Sequence, residues 1–320
     1  MFSRATRCLC VVLLLSALLA SPAAGVPSHI VSLSPAGTEI LFMLGLGERL
    51  AGVTEFCDYP PEALKKPRLG GFTEVNLESL VSSGTDLLVL QDIHRHDLAP
   101  KLDSLGIPYY ILSQESTEDV CKGILELGEL CGAAARARDE VLQIRARLEA
   151  VKRRVEGLVR PRVLICVSRE LTLNHLETLY VAGASGNFYN ELLQLAGGVN
   201  AVETDASYLK VSQEGVMKLN PDVILDLVGE QAYYHAPSSP EELDRVFDDD
   251  YLLAPWLRMT NVKAVQEGRV HLLRGTVFLR PGPRLPQIVE AFAQCLHPLG
   301  TAIEKSPASR DRSPERVGAK

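Results

Sequence analysis

The sequence predicts an α/β fold of two three-layer lobes, each with a mainly parallel sheet, joined by one long backbone helix. Short apolar strands alternate with helices before residue 112 and again after residue 161. Continuous apolar strands of this kind are typical of parallel sheets that are covered on both faces. Between these two regions, residues 117–158 have helical periodicity and contain no proline.

The first lobe is predicted to span residues 28–131. Its expected strands are 30–34, 50–53, 86–90 and 108–112, and its expected helices are 38–46, 76–83 and 96–105. Gly45 and Gly47 lie near the end of the first of these helices, where glycine commonly terminates a helix. The regular alternation predicts βα units rather than hairpins.

The linking helix is predicted at residues 133–158. Its apolar residues recur at intervals of three and four: Val141, Ile144, Leu148, Val151 and Val155. This spacing places them on one face of a helix. Gly132 is expected to separate it from a preceding helix, and Pro161 to end it. About 25 residues at 1.5 Å per residue span about 38 Å.

The second lobe is predicted at residues 161–299, and it repeats features of the first. Its expected strands are 162–167, 222–227 and 270–273, and its expected helices are 187–195, 213–219 and 286–297. Each lobe has a short helix with a glutamate near its start, Glu78 or Glu214, followed by an aspartate that opens an apolar strand, Asp86 or Asp222. Two similar lobes that face each other across a cleft are a natural frame for a ligand.

The two ends of the chain differ from these lobes. Arg4 and Arg7 precede an apolar run at 9–20 and small residues at 21–25, which predicts a secretory signal peptide at 1–25 and a periplasmic location. An uncleaved anchor is the alternative, although the run is shorter than the roughly 20 residues that a membrane span needs. Residues 301–320 are rich in serine, proline and basic residues and are predicted to be disordered.

Composition narrows the classes of function. A formal net charge of −7 does not favour nucleic-acid binding, which relies on clustered basic residues. After loss of the signal peptide, five cysteines remain: Cys57, Cys121, Cys131, Cys166 and Cys295. Their odd number and irregular spacing favour buried thiols, while an oxidising compartment leaves a disulfide open.

Motifs of hydrolases, P-loop nucleotide-binding proteins and zinc proteases are absent from the sequence, which disfavours an enzyme without excluding one. His94 and His96 follow a predicted buried strand, at the end of the sheet where α/β proteins bind ligands. Two imidazoles there predict a candidate metal site or one axial ligand to a bound metal centre. The alternative is two solvated polar residues in a loop.

Several segments together resemble class III periplasmic substrate-binding proteins. They are Ile-Val-Ser-Leu-Ser-Pro-Ala-Gly-Thr-Glu at 30–39, Cys-Asp-Tyr-Pro-Pro-Glu-Ala at 57–63, Gly-Gly-Phe-Thr-Glu-Val-Asn-Leu-Glu at 70–78, Val-Ser-Gln-Glu at 211–214 and Arg-Pro-Gly-Pro-Arg at 280–284. The run at 57–63 is more specific, because it resembles one branch of this family, the cobalamin-binding branch. The resemblance extends over most of residues 28–299.

This resemblance implies a substrate-binding component of an ABC importer. It implies a monomer without a cofactor of its own that binds a corrinoid such as cobalamin between its lobes. The monomer would deliver this ligand to a membrane permease and its ATPase, and it would contact the membrane only through the permease. One alternative keeps the fold and changes the ligand to haem or a ferric siderophore, with Tyr208, Tyr233, His235 or His94 as candidate axial ligands. A second alternative is a secreted metal-dependent enzyme that uses His94 and His96.

The resemblance also assigns site residues. Those implied to bind the ligand are Ser34, Pro35, Ala36, Phe56, Phe72, Tyr208, Phe278 and Arg280. Glu78 and Glu214 are implied to dock on arginines of the permease, one from each lobe. The family's cobalamin binder has tryptophan where this chain has Phe72 and Tyr208. Aromatic stacking survives that change, because a flat macrocycle stacks on any of these rings.

Overall fold

Two sheets, one on each side of a long helix, form the framework of the molecule. The computed structural model describes residues 25–71, 77–82, 84–169, 175–229 and 248–298. The predicted tail at 301–320 lies outside the described residues, as do all but the last residue of the predicted signal peptide and the predicted site residue Phe72.

The first lobe contains all four predicted strands. They are β1 (Ile30–Ser32), β2 (Leu50–Val53), β3 (Leu87–Gln91) and β4 (Tyr109–Leu112). Its helices are α1 (Pro35–Met43), α2 (Leu77–Ser82), α3 (Ala99–Leu105) and α4 (Thr117–Leu130). The strands are parallel and lie in the order β2-β1-β3-β4.

Helix α5 (Ala134–Val155) connects the two lobes. Its buried side chains are the five apolar residues that the periodicity identifies, together with Ala137. Gly132, between α4 and α5, has a φ of 73°, which residues with a side chain rarely adopt. The chain therefore breaks between the two helices where the sequence predicts a break.

The described part of the second lobe contains a six-stranded mixed sheet. Its strands are β5 (Arg162–Arg169), β6 (Leu179–Ala182), β7 (Val199–Asn200), β8 (Tyr208–Val211), β9 (Val223–Leu227) and β10 (Val270–Leu273). Its helices are α6 (Phe188–Leu195), α7 (Gln213–Leu219), α8 (Asp249–Leu257), α9 (Lys263–Gln266) and α10 (Leu285–Leu296). The order is β10-β9-β5-β6-β8, with β7 beside β5, and β6 and β8 are antiparallel to their neighbours.

The sheet of the first lobe is covered on both faces. Ile30 and Val89 belong to a core that also contains the buried side chains of α5, whereas Val31, Leu88 and Leu90 belong to a separate core. Successive side chains of a strand point to opposite faces, so the two cores lie on opposite sides of the sheet. This arrangement confirms the predicted α/β fold with layered lobes.

The core around α5 is continuous across both lobes. Helix α5 packs against α4 of the first lobe and against α6 and α10 of the second. The same apolar cluster includes Leu127 of α4, Leu193 of α6 and Phe292 of α10. Helix α5 therefore holds the two lobes together through a shared apolar core, in addition to linking them covalently.

The internal repeat has a structural basis. Before β3, the carboxylate of Asp86 accepts hydrogen bonds from the backbone N–H groups of Ser28 and His29, at 2.7 and 3.0 Å. Before β9, the carboxylate of Asp222 accepts one from the N–H of Arg162 at 2.7 Å. Each aspartate thus ties the start of its own strand to the start of the neighbouring strand, β1 or β5.

A buried polar cluster joins α8 to the sheet of the second lobe. Asp226, the only polar residue of β9, accepts hydrogen bonds from Arg169 Nε at 2.8 Å and from Trp256 Nε1 at 2.7 Å. Arg169 also donates to the backbone oxygen of Leu252 in α8. A buried charge is costly unless an opposite charge lies beside it. Arg169 and Asp226 compensate each other in this way.

The five cysteines in the described residues are free thiols. Four are buried and Cys295 is partly buried, in agreement with the reading as buried thiols. Within the described part of the chain, no helix has both the length and the apolar character that crossing a membrane requires.

Candidate ligand-binding cleft

A cavity of about 600 Å³ is lined by residues of both lobes. Its lining residues are Glu55, Phe56, Asp58, Tyr59, Leu64, Thr276 and Arg280. The first five belong to the segment after β2, and the last two follow β10. The volume lies within the range of typical small-molecule pockets.

The segment that carries Phe56, Asp58 and Tyr59 is held to the first lobe by its neighbours. Arg68 donates hydrogen bonds to the backbone oxygens of Thr54 and Cys57, at 2.6 and 3.0 Å. The Cys57 thiol is fully buried, and burial raises its pKa. These contacts fix the backbone of the segment without using the side chains that line the cavity.

The loop at residues 280–284 binds the second lobe to the first through two ion pairs. Arg280 pairs with Asp58, and Arg284 makes a bidentate pair with Glu39 in α1, in which Nε lies 2.7 Å from Oε2. Between them, the backbone oxygen of Pro281 accepts a hydrogen bond from the Gln114 amide. Bidentate guanidinium–carboxylate pairs are among the strongest charge-assisted contacts in proteins.

The pair of Arg284 and Glu39 is the more deeply buried of the two. The side chains are 13% and 2% exposed, respectively. Burial raises the pKa of the Glu39 carboxyl, although Arg284 opposes this shift. The Arg284 guanidinium also lies 3.9 Å from the centre of the Tyr59 ring, so it orients an aromatic wall of the cavity.

The turn after β1 lies beside this loop. Ser34 caps α1, because its Oγ accepts a hydrogen bond from the N–H of Gly37 at 3.0 Å. Pro35 and Ala36 begin the helix and are buried. A side chain on Gly282 would approach the Cβ of Ala36 to 3.1 Å. Ser34, Pro35 and Ala36 therefore lie where the two lobes meet, in the packed turn and not among the residues that line the cavity.

The predicted aromatic residues of the second lobe form a small cluster. Tyr208 is 46% exposed and meets Tyr189 edge to face, with ring centres 6.4 Å apart. The Tyr189 hydroxyl donates to the backbone oxygen of Phe278 at 3.0 Å. Phe278 belongs to the same single turn of helix as Thr276, which lines the cavity.

A model of the periplasmic binding protein family matches residues 30–276 of the chain. The chain belongs to this family. Proteins of this family bind solutes and do not convert them, so the chain is a binding protein and not an enzyme.

Curated relatives are similar to this periplasmic binding protein over most of its length. It is 28% identical over 279 residues to an uncharacterized ABC transporter substrate-binding lipoprotein, YvrC, of Bacillus subtilis (85% of this chain and 81% of the relative). It is 26% identical to the vitamin B12-binding protein of Vibrio parahaemolyticus (82% and 87%).

Two solved structures have a similar fold. The periplasmic vitamin B12 binding protein BtuF of Vibrio cholerae has a TM-score of 0.68 and 25% identity, over 85% of this chain and 97% of that one. The periplasmic heme-binding protein RhuT of Roseiflexus has a TM-score of 0.68 and 24% identity, over 84% and 97%. At 24% identity, the similarity to RhuT shows a shared fold only.

The two predicted docking residues of this periplasmic binding protein occupy matching places. Glu78 lies in the first turn of α2 and Glu214 in the first turn of α7, and both are exposed. Hydrogen bonds from its own backbone N–H and from the Ser212 hydroxyl lower the pKa of Glu214. Both glutamates lie eight residues before the aspartate that ties two strands together, Asp86 or Asp222.

The structure places the predicted metal residues in different surroundings. His94 is buried, and its Nδ1 accepts a hydrogen bond from the N–H of Gln91 at 3.1 Å. His96 is exposed. Among the described residues, no group of three or more potential ligands could hold a metal ion. A metal site formed by both histidines stays a prediction that this geometry does not support.

Sequence reasoning identified two of the seven residues that line the cavity, Phe56 and Arg280. It missed the other five, which are Glu55, Asp58, Tyr59, Leu64 and Thr276. Asp58 and Tyr59 nevertheless belong to the run at 57–63 that resembles the cobalamin-binding branch. Their adjacency to Phe56 was the available signal. The candidate axial ligands Tyr233 and His235 lie outside the described residues.

We expect Arg284→Met to lower the free energy of unfolding by about 3–5 kcal/mol, because it leaves the Glu39 carboxyl buried without a partner. Burial raises the pKa of Glu39 above that of the unfolded chain, so the folded state binds its proton more tightly. The contribution of Glu39 to the free energy of unfolding therefore falls as the pH rises above about 4.5. The loss in Arg284→Met should be smaller at pH 5 than at pH 8, as measured by urea unfolding.

The control is Arg147→Met, which breaks a bidentate pair between α5 and Glu290 of α10. Both of these side chains are at least 40% exposed, so its loss should cost about 1 kcal/mol or less. Adding Glu39→Gln to Arg284→Met should recover much of the loss. Equal costs for the two arginine variants would contradict the assignment of the buried pair.

Proposed function

We propose that this protein is the substrate-binding component of an ABC importer and that it binds a corrinoid, such as cobalamin, in the cleft between its lobes. The observation that carries this proposal is the cavity itself. It is bounded by both lobes, and it has aromatic rings and a small set of charged side chains in its wall. Large ligands with broad apolar faces favour such a lining.

The charges that line the cavity support a corrinoid over an anionic ligand. The charged lining residues that the structure describes are Glu55, Asp58 and Arg280, and Arg280 is paired with Asp58. Haem carries two propionate carboxylates, and ferric siderophore complexes are commonly anionic. Cobalamin presents amides around its corrin ring and has no carboxylate. It therefore meets less repulsion in this cavity.

The relatives support the same ligand class. Proteins named vitamin B12-binding in Vibrio and cobalamin-binding in Halobacterium salinarum are 25–26% identical to this chain over most of its length. Haem is the second candidate, because periplasmic heme-binding proteins have the same fold.

Delivery of the ligand would use the exposed Glu78 and Glu214. The matching positions of these glutamates suit two-point docking on a permease dimer, in which each carboxylate meets arginines of one subunit. The predicted signal peptide at 1–25 would export the protein to the outer side of the membrane, where a substrate-binding protein meets its permease.

Isothermal titration of the mature protein with cyanocobalamin, cobinamide and haemin tests the ligand class. We expect saturable one-to-one binding of both corrinoids and weaker or no binding of haemin, because the lining residues that the structure describes carry no excess positive charge. A visible spectrum recorded in parallel would detect haem ligation through a shifted Soret band. Binding of haemin alone would contradict the corrinoid proposal. It would still agree with a substrate-binding component of an importer whose ligand is haem.

The variant Glu78→Ala/Glu214→Ala tests docking. We expect unchanged affinity for the ligand and loss of uptake in vesicles that contain the permease and ATPase, since both glutamates are exposed and neither lines the cavity. The control is Glu48→Ala/Glu203→Ala, which removes one exposed glutamate before α2 and one before α7. Loss of ligand binding in the first variant, or equal loss of uptake in both, would refute the docking assignment.

A further inference from the structure

An unpaired carboxylate, that of Glu55, belongs to the wall of the cavity. None of the hydrogen bonds and ion pairs of the described residues involves this carboxylate. We infer that Glu55 makes the cleft prefer corrinoids that carry a positive charge, such as those with water in place of an anion on the cobalt, over neutral ones. This inference rests on the proposed corrinoid-binding function and adds to it a residue that sets specificity for the charge of the ligand.

The other charges of the described residues at the cavity compensate each other. Arg280 pairs with Asp58 in the wall, and Arg284 pairs with Glu39 outside the lining. Each of these pairs is neutral as a whole. The described lining residues therefore carry one net negative charge, and Glu55 is the residue that supplies it.

The backbone at Glu55 is fixed on both sides. Its own N–H donates a hydrogen bond to the backbone oxygen of Gly70 at 3.0 Å. The backbone oxygens of Thr54 and Cys57, which flank it, accept hydrogen bonds from Arg68 at 2.6 and 3.0 Å. The fold therefore keeps this charge at the wall of the cavity, whichever rotamer the exposed side chain adopts.

The carboxylate of Glu55 can act on the ligand without touching it, because the interaction between charges extends over several ångströms. A cavity of about 600 Å³ is roughly 10 Å across, comparable with the Debye length of about 8 Å at physiological ionic strength. A positive charge at the centre of a corrin ring in the cavity is therefore attracted to Glu55, whereas a neutral corrinoid gains nothing from it. The preference follows from the net charge of the ligand and not from its shape.

The test uses two corrinoids that differ in one axial group. The probes are cyanocobalamin, which is neutral, and aquacobalamin, in which water replaces cyanide on the cobalt and adds one positive charge at pH 6. The measured quantity is the Kd of cyanocobalamin divided by that of aquacobalamin, from titrations at low salt. This ratio should be about threefold to tenfold for the wild-type protein and about one for Glu55→Gln, which preserves shape and removes the charge.

The matched control is Glu62→Gln, which removes an exposed carboxylate from the same segment but outside the cavity wall. It should leave the ratio at the value of the wild type. A further variant, Glu55→Lys, should lower the ratio below one, because the wall then repels the charged ligand. The Kd of cyanocobalamin should be the same in Glu55→Gln as in the wild type, which a merely structural role of Glu55 would not predict.

The visible spectrum separates attraction between charges from a bond to the metal. Bound aquacobalamin should keep the spectrum of the free ligand. A shifted spectrum would overturn the inference, because direct ligation of the cobalt by a side chain would then account for the preference.

Three other results would overturn the inference alone: a wild-type protein that binds both corrinoids equally, a Glu55→Gln variant with the ratio of the wild type, or an equal loss of preference in Glu62→Gln. In the last case the net charge of the protein, and not the cavity wall, would set the preference. A wild-type protein that binds neither corrinoid would refute the proposed function, and this inference with it.

Discussion

The bidentate ion pair between Arg284 and Glu39 is the contact on which the architecture of the cleft depends. It joins the loop at 280–284 to α1 at a point where Gly282 and Ala36 leave no room for a further side chain. The same guanidinium supports the ring of Tyr59 in the cavity wall. One arginine therefore couples the position of the lobes to the shape of the site.

The lobes are held together at two separate places, the shared core around α5 and the loop at 280–284. A molecule that is joined only by a flexible strand closes on its ligand by a hinge motion. Here a 22-residue helix packs against both lobes. Two ion pairs, and a hydrogen bond from the Gln114 side chain to the backbone oxygen of Pro281, bind the loop. This favours a largely pre-formed cleft, which loses less conformational entropy on binding than a mobile one does.

Much of the fold could be predicted from the sequence, because apolar runs and helical spacing are local signals. The strands of the first lobe and the buried face of α5 follow directly from them. Strands β6, β7 and β8 were missed. In β8 two of the four side chains are exposed, Tyr208 and Lys210, so it is not a continuous apolar run. The ion pairs were also missed, since their partners lie 222 and 245 residues apart and no local pattern connects them. For the same reason, Phe56 and Arg280 could be chosen as site residues while the pair of Arg280 with Asp58 could not.

The most direct test of the account is a crystal structure of the mature protein with bound cyanocobalamin. The account predicts that the corrin ring lies in the cleft against Phe56 and Tyr59, with the pair of Arg280 and Asp58 intact. A ligand bound outside the cleft would contradict the account. So would a ligand bound within it directly to Arg280, with Asp58 displaced.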